Sequence, residues 1–326
     1  MQRALVTGAN GFIGAALTHR LLRDGIAVRA MCRSASNGAA LAQAGAEVVE
    51  GDIQNAEVTR QYAAGCDVVF HVAAVGKGSW AHQYSINVQG TRHIAEAAYK
   101  AGAQRLIHVS SVAVYGYDLN GPIEESYPQR PPRDDYYMRT KALGEQAVWQ
   151  YAQEVGLLTV TVRPAFVYGP RSVFWSRALY NLCRRYPVPL IAGGCGNAHP
   201  IYVDDAVDLL VTAATHPAAP GHAFHAAPDP APTWREYLGY YARMADNSRT
   251  LSIPLPPSVI FRPLCSLISL LARLAGSSYD VFGAAQFITR PITYRMDKAR
   301  QLLGWQPRIS LEEGMALTEP WLKSLH

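Results

Sequence analysis

The run Val6-Thr7-Gly8-Ala9-Asn10-Gly11-Phe12-Ile13-Gly14 decides how this 326-residue chain folds. Residues 4–7 are a short apolar strand pattern, and a helical pattern begins at Phe12. Between them stand Gly8, Gly11 and Gly14. Glycines at this spacing permit a tight turn, close approach of a backbone to a pyrophosphate, and close helix-on-strand packing. The following helix presents free N–H groups and the positive end of its dipole to the phosphates. Three glycines alone are a weak signal; their place between strand and helix makes this a dinucleotide-binding turn. Asn10, Phe12 and Ile13 belong to the same cofactor-facing loop.

Beyond the turn, β-branched runs at 27–31, 47–50, 68–72, 105–110 and 158–163 alternate with helical patterns at 12–24, 38–44, 55–64, 85–101 and 135–155. Six apolar strands joined by helices predict right-handed βαβ units around a buried parallel sheet. The fold class is therefore α/β, a Rossmann doubly wound sheet. After Arg163-Pro164, proline, glycine and aromatic residues rise. We expect residues 1–169 to bind the cofactor. Residues 170–326 are expected to form mainly a smaller substrate-binding domain, with some segments returning to the sheet.

Composition narrows the class further. The chain is 49% hydrophobic and 17% charged, which excludes disordered, collagen-like and coiled-coil chains. The net charge of +5 comes from 25 scattered Arg against 5 Lys, not from a basic stripe, so no nucleic-acid partner is expected. Five cysteines with no Cys-x-x-Cys pattern read as free thiols of a reducing compartment. No leader pattern precedes the first strand. The apolar stretch 259–275 is broken by Arg262, Pro263 and Arg273 and falls short of a membrane span. A cytoplasmic protein is expected. Residues 247–279 contain no acid at all. They read as a core helix of the second half, or as the wall of an apolar pocket or a peripheral membrane contact.

The second strand bears on cofactor choice. An Asp or Glu at its end would hydrogen-bond a ribose 2′-hydroxyl. Here the strand ends Met31-Cys32-Arg33, and a guanidinium there suits a 2′-phosphate. This favours NADP(H), with NAD(H) as the alternative. Asp52 and Ile53 close the third strand, where a carboxylate can meet the adenine amino group. Ala73 and Ala74 close the fourth, where small side chains let a cofactor lie against the backbone.

Tyr137 and Lys141 form a Tyr-x-x-x-Lys unit, and residues four apart share one helix face. A phenol titrates near ~10, and acid–base work near neutrality requires lowering it by roughly three units. A neighbouring ammonium is expected to do so. A second copy, Tyr294 with Lys298, shows that spacing alone cannot decide. Tyr137 follows Ser111 by 26 residues. Ser111 ends the fifth strand, where its hydroxyl can hold a substrate oxygen. Tyr294 has no such partner, is expected far from the sheet, and lies by Asp297, read as a helix cap. His71, His108, His222 and His225 fall in strand-like runs and read as core or pocket-edge residues. No metal site is expected.

These residues resemble the extended short-chain dehydrogenase/reductase superfamily, the NAD-dependent epimerase/dehydratase family. The segments are TGANGFIG at 7–14, GDI at 51–53, HVAA at 71–74, NVQGT at 87–91, SSVAVYG at 110–116, YMRTK at 137–141, RPAFVYGP at 163–170, YVDD at 202–205 and LGWQPRISLEEG at 303–314. They run in family order over nearly the whole chain. The resemblance implies Tyr137 as acid/base, Lys141 on the nicotinamide ribose, and Ser111 orienting the substrate. It also implies Pro164, Ala165, Phe166 and Val167 beside the nicotinamide, Asn87 as a structural tie, and a homodimer through helices 85–101 and 135–155.

Three departures narrow the branch. The Thr-Asp-Glu of sugar dehydratases is Ser111-Val112-Ala113 here. The Arg that holds a diphosphate before Tyr202-Val203-Asp204-Asp205 is missing, with His199 the one candidate cation. The acid-free segment suits an apolar substrate. The chain looks more like the 3β-hydroxysteroid dehydrogenase and dihydroflavonol reductase branch, and also resembles hopanoid-associated sugar epimerases. The expected activity interconverts a ketone and a secondary alcohol on an apolar small molecule. Alternatives are a nucleotide-sugar epimerase and a non-catalytic cofactor sensor.

Overall fold

The computed structural model describes residues 1–254, 265 and 281–325. Seven strands form one parallel sheet: β1 (Arg3–Thr7), β2 (Ala27–Cys32), β3 (Glu47–Glu50), β4 (Val68–His71), β5 (Arg105–Val109), β6 (Thr159–Pro164) and β7 (Ala223–Ala226). Their order is β7-β6-β5-β4-β1-β2-β3, all parallel. The order reverses between β1 and β4, so a crevice opens there at the carboxyl ends of the strands.

Six strands stand where the sequence places them, within a residue or so. The seventh, Ala-Phe-His-Ala, is too short and too small-sided to announce itself. Only its pairing with β6 makes it a strand. The chain beyond residue 169 thus returns to the central sheet.

Helices cover both faces. On one, α1 (Phe12–Arg23) packs on α8 (Val203–Thr215); on the other, α3 (Ala56–Ala63) packs on α5 (Thr91–Lys100), and α5 on α6 (Tyr136–Val155). The helix expected at 85–101 starts earlier. It runs from α4 (Trp80–Tyr84) through a π-turn, Ser85–Gly90, into α5. The pattern at 38–44 divides into a 3₁₀ turn, Ala35–Gly38, and α2 (Ala39–Gln43). Alternate strand residues supply two cores, Val6, Phe70, Ile107 and Val162 on one face, and Leu5, Val69 and Leu106 on the other.

The second half adds α7 (Leu179–Arg185), α9 (Trp234–Met244), α10 (Val281–Phe287), α11 (Asp297–Leu303) and α12 (Leu311–Lys323). Three small parallel pairs join distant segments: Phe166–Tyr168 with Pro200–Tyr202, Val188–Ile191 with Thr250–Ile253, and Pro122–Ile123 with Thr293–Tyr294. The Asp205 carboxylate accepts from the Arg308 and Ile309 N–H groups at 2.9 and 3.1 Å, pinning the chain that leads to α12. Most of the acid-free stretch 247–279 lies outside the described residues. No helix among the described residues is long and apolar enough to cross a membrane.

Candidate active site

The glycine turn sits at the crevice. Gly8 has φ +65, and a Cβ on it would lie 2.8 Å from Ala73 Cα, so the turn after β1 rests on the loop after β4. A Cβ on Gly14 would come within 2.2 Å of the Gly8 carbonyl oxygen, which fixes α1 against the turn. The α1 N-cap is Gly11, with no side-chain cap and no acid in the first turn. Elsewhere Asn55, Thr233 and Ser310 cap their helices. The first N–H groups of α1 are left for an anion, as a pyrophosphate cradle requires.

Around the turn, Asn10 is exposed and Phe12 and Ile13 are half-buried; Ala73 is half-buried and Ala74 exposed. Ala73 N–H donates to Thr7 Oγ1 at 3.3 Å. Thr7 O–H donates to His71 Nδ1 at 2.8 Å, while His71 Nε2 meets Thr91 Oγ1 at 2.9 Å. Thr91 gives its own proton to the Asn87 carbonyl, so His71 carries its hydrogen on Nε2. Burial holds this neutral imidazole down to about 3. Arg33 is exposed just past β2 and makes no ion pair among the described residues. Asp52 accepts from Gln54, and Ile53 is buried against Gly90.

Ser111 and Tyr137 come together. Asp135 caps α6 by accepting from Met138 N–H at 3.0 Å, which sets Tyr137 in the first turn. Ser111 caps the 3₁₀ turn Val112–Tyr115 just past β5. Its hydroxyl accepts from Ala113 N–H at 3.1 Å and lies near enough to the Tyr137 phenol to pull its pKa down. The backbone of Gly76 lies against the Tyr137 ring, its Cβ position 3.5 Å from Cδ2. Lys141, 5% exposed, lies one turn further along α6 and donates to the Val109 carbonyl at 2.7 Å.

The electrostatics correct one expectation. Burial raises the Tyr137 phenol above its ordinary value, with the Ser111 hydroxyl pulling down and Asp135 pushing up. Lys141 does not lower it here. Its ammonium is engaged by Val109, and burial brings it to about 8, with Glu145 partly restoring the charge. Asn87 acts as the expected tie. It accepts from Val75 N–H at 2.9 Å and donates to Val75 O at 2.8 Å and Thr140 Oγ1 at 2.9 Å.

Other features were not legible. Arg163 forms a buried ion pair with Glu145 and also donates to Tyr115 Oη and the Glu125 carbonyl. Tyr115 in turn meets His225 Nε2 at 2.6 Å. Tyr294 corrects the expectation that it lies far from the sheet. Its ring is wedged against Tyr115, His225 and His199, because the pair with Pro122–Ile123 carries it in. Lys298 faces Glu125 at 3.6 Å. Asp297 is the first residue of α11 rather than its cap, and it pairs with Arg295.

Pro164 and Val167 are buried; Ala165 and Phe166 are half-buried. Phe166 stacks on Trp175 at 4.0 Å, with Trp234, His199 and Phe287 rings 5.8, 5.8 and 6.3 Å from it. The Trp175 carbonyl accepts from both Tyr237 and Tyr241 at 2.6 Å, which braces this aromatic chamber. Lys77, next to Gly76, reaches over the exposed Phe174 ring at 6.0 Å.

The model of the NAD dependent epimerase/dehydratase family matches residues 4–227. The chain belongs to that family. A ketoreductase of Stigmatella aurantiaca, acting on 4-hydroxy-2-methyl-3-oxo-4-farnesyl-3,4-dihydroquinoline-1-oxide, is 29% identical over 96% of this chain and 94% of its own. The 3beta-hydroxysteroid-dehydrogenase/decarboxylase isoform 1 of Arabidopsis thaliana is 28% identical over 96% of this chain and 78% of its own. Among solved structures, UDP-glucose 4-epimerase from Thermotoga maritima superposes with a TM-score of 0.79 at 23% identity, covering 99% of this chain and 100% of that one. That likeness speaks to the fold.

Proposed function

We propose that this protein is an NADP(H)-dependent oxidoreductase that interconverts a ketone and a secondary alcohol on an apolar small molecule. The observation that carries the reading is the meeting of Ser111 and Tyr137, with Lys141 one turn on, against the loop after β4 on which the uncapped glycine turn also rests. The turn fits a dinucleotide: Gly8 and Gly14 leave no room for a Cβ, and the α1 N–H groups are free for phosphate. Gly8, Asn10, Gly11, Phe12, Ile13 and Gly14 would hold the pyrophosphate, and Arg33 the 2′-phosphate. Asp52, Ile53, Ala73 and Ala74 would flank the adenosine half, and Pro164 to Val167 the other end. A nicotinamide cofactor, when bound, supplies or accepts the hydride.

Ser111 and Tyr137 take the substrate oxygen between them. In reduction Tyr137 gives its proton to that oxygen, and a phenol held protonated by burial is in the right state to do so. Lys141, near 8, can hold a hydroxyl and share a proton close to working pH. The ketoreductase and hydroxysteroid dehydrogenase relatives support the ketone–alcohol reading. So does the aromatic chamber in place of a diphosphate-binding Arg. In this reading residues 170–326 supply most of the substrate site. The protein works as a cytoplasmic homodimer through α4–α5 and α6.

The test is cofactor absorbance at 340 nm with a panel of ketones. Tyr137→Phe should lower kcat by about 10³-fold, within the usual span for a lost general acid. Turnover equal to wild type would overturn the assignment. Substrate interconversion without net cofactor change would favour the epimerase alternative, which the family fold also accommodates.

A further inference from the structure

Three buried nitrogen atoms beside the Phe166 ring have no hydrogen-bond partner among the described residues: both ring nitrogens of His199 and Nε1 of Trp234. His199 is 1% exposed. Its ring is enclosed by Tyr294 at 4.8 Å, Phe166 at 5.8 Å and Phe287 at 6.2 Å. Buried polar atoms are almost always paired, and an orphan is costly unless something answers it. Among the described residues none answers it. Both orphaned side chains flank Phe166, two residues past Pro164, where β6 ends. Lys77 reaches over Phe174, the residue before Trp175, and its neighbour Gly76 lies against the Tyr137 ring.

We propose that the chamber takes a flat, largely apolar substrate carrying a second oxygen, remote from the reacting carbonyl, which Trp234 Nε1–H and His199 recognise. The aromatic rings bury the substrate's flat faces. The indole N–H can only donate, so its partner must be an acceptor. The imidazole carries one donor and one acceptor when neutral, so it suits a hydroxyl or carbonyl oxygen equally. A site built to bond an oxygen rejects the analogue lacking it, because its own buried polar atoms are then left unpaired. The inference rests on the ketone–alcohol reading, and the experiment separates the two.

Matched pairs of ketones, alike but for a remote oxygen, are the probes: 4-phenyl-2-butanone and its 4-hydroxyphenyl analogue, 2-acetylnaphthalene and its 6-hydroxy analogue, 5α-androstan-3-one and 5α-androstane-3,17-dione. Binding of each to the Tyr137→Phe protein is measured by calorimetry, and KM and kcat with the wild type. For the pair of fitting length, the oxygenated member should bind about tenfold tighter, as one well-placed hydrogen bond allows. That ratio should fall toward one in Trp234→Phe and in His199→Leu, and recover in part in His199→Gln. The ratio within a pair is the readout, so a general loss of fit in a variant cancels. Equal affinities within every pair, or ratios unmoved by all three substitutions, overturn the inference; the orphaned nitrogens then hold water. If binding is selective but no ketone is reduced, the inference stands and the ketone–alcohol reading fails.

Discussion

At the head of α6, the Asn87 amide bonds Val75 on both sides and Thr140 beyond, Thr91 bonds the Asn87 carbonyl, and His71 bonds Thr7 and Thr91. Around Phe166, the buried His199 ring and the indole nitrogen of the half-buried Trp234 have no hydrogen-bond partner among the described residues. The Asn87, Thr91 and His71 side chains spend their polar atoms on the architecture, whereas His108, stacked on His71, leaves both ring nitrogens unbonded. The second region keeps its own for something else. A buried hydrogen bond contributes about 1 kcal/mol, whereas an unanswered buried donor or acceptor costs about 1–3 kcal/mol. Deleting the bonded groups of the first region and the orphaned ones of the second should therefore have opposite signs.

The largest stability effect is expected where the first region is tightest. A Cβ on Gly144 would stand 2.2 Å from the Asn87 carbonyl oxygen, backbone that cannot move aside. Gly144→Ala should lose about 3 kcal/mol or more in denaturant unfolding, as for strong overpacking. A loss under 1 kcal/mol would show the crossing to be looser than drawn. Next comes Asn87→Ala, which removes three hydrogen bonds and leaves Val75 N–H and O unpaired; about 2–4 kcal/mol should be lost by the same assay.

His199→Phe is the matching test in the second region. It removes orphaned atoms and keeps an aromatic ring, so at pH 7 the expected change is neutral to about 1 kcal/mol stabilising. Acid sharpens the contrast. Burial holds His199 at about 3, well below its unfolded value near 6.5. Between those values the unfolded chain binds the proton and the folded chain does not, so stability falls as pH drops through the window. By pH 5 the wild type should lose about 2 kcal/mol on this account that His199→Phe does not. Parallel stability curves for the two proteins from pH 7 to pH 5 would refute the buried neutral imidazole. The smallest effect concerns Arg33. Arg33→Ala should shift the preference for NADPH over NADH by about tenfold, the worth of one exposed charge-assisted contact. No shift in the two KM values would leave Arg33 a solvated surface residue.

Local signals carried the first region. Glycines at 8, 11 and 14, apolar runs of strand length, and the Tyr137–Lys141 spacing are short-range patterns, and their physical meaning does not depend on distant residues. Ser111 was legible for the same reason, since it ends a strand. Even there the sequence misjudged charge: spacing put Lys141 one helical turn from Tyr137, but only the packed chain shows that Val109 engages the ammonium and that burial raises the phenol. Tyr294 was misplaced because its neighbours in space, Tyr115 and His199, are distant in sequence.

Six of the strands, the glycine turn and the positions of Ser111, Tyr137 and Lys141 follow from the sequence alone, because backbone propensity, hydrophobic alternation and glycine's missing Cβ act within a few residues. The seventh strand, the Arg163–Glu145 pair, the chamber around Phe166 and the unanswered nitrogens of His199 and Trp234 were decided only by tertiary structure. Burial and the absence of a partner are properties of the whole packed chain, and no local window contains them.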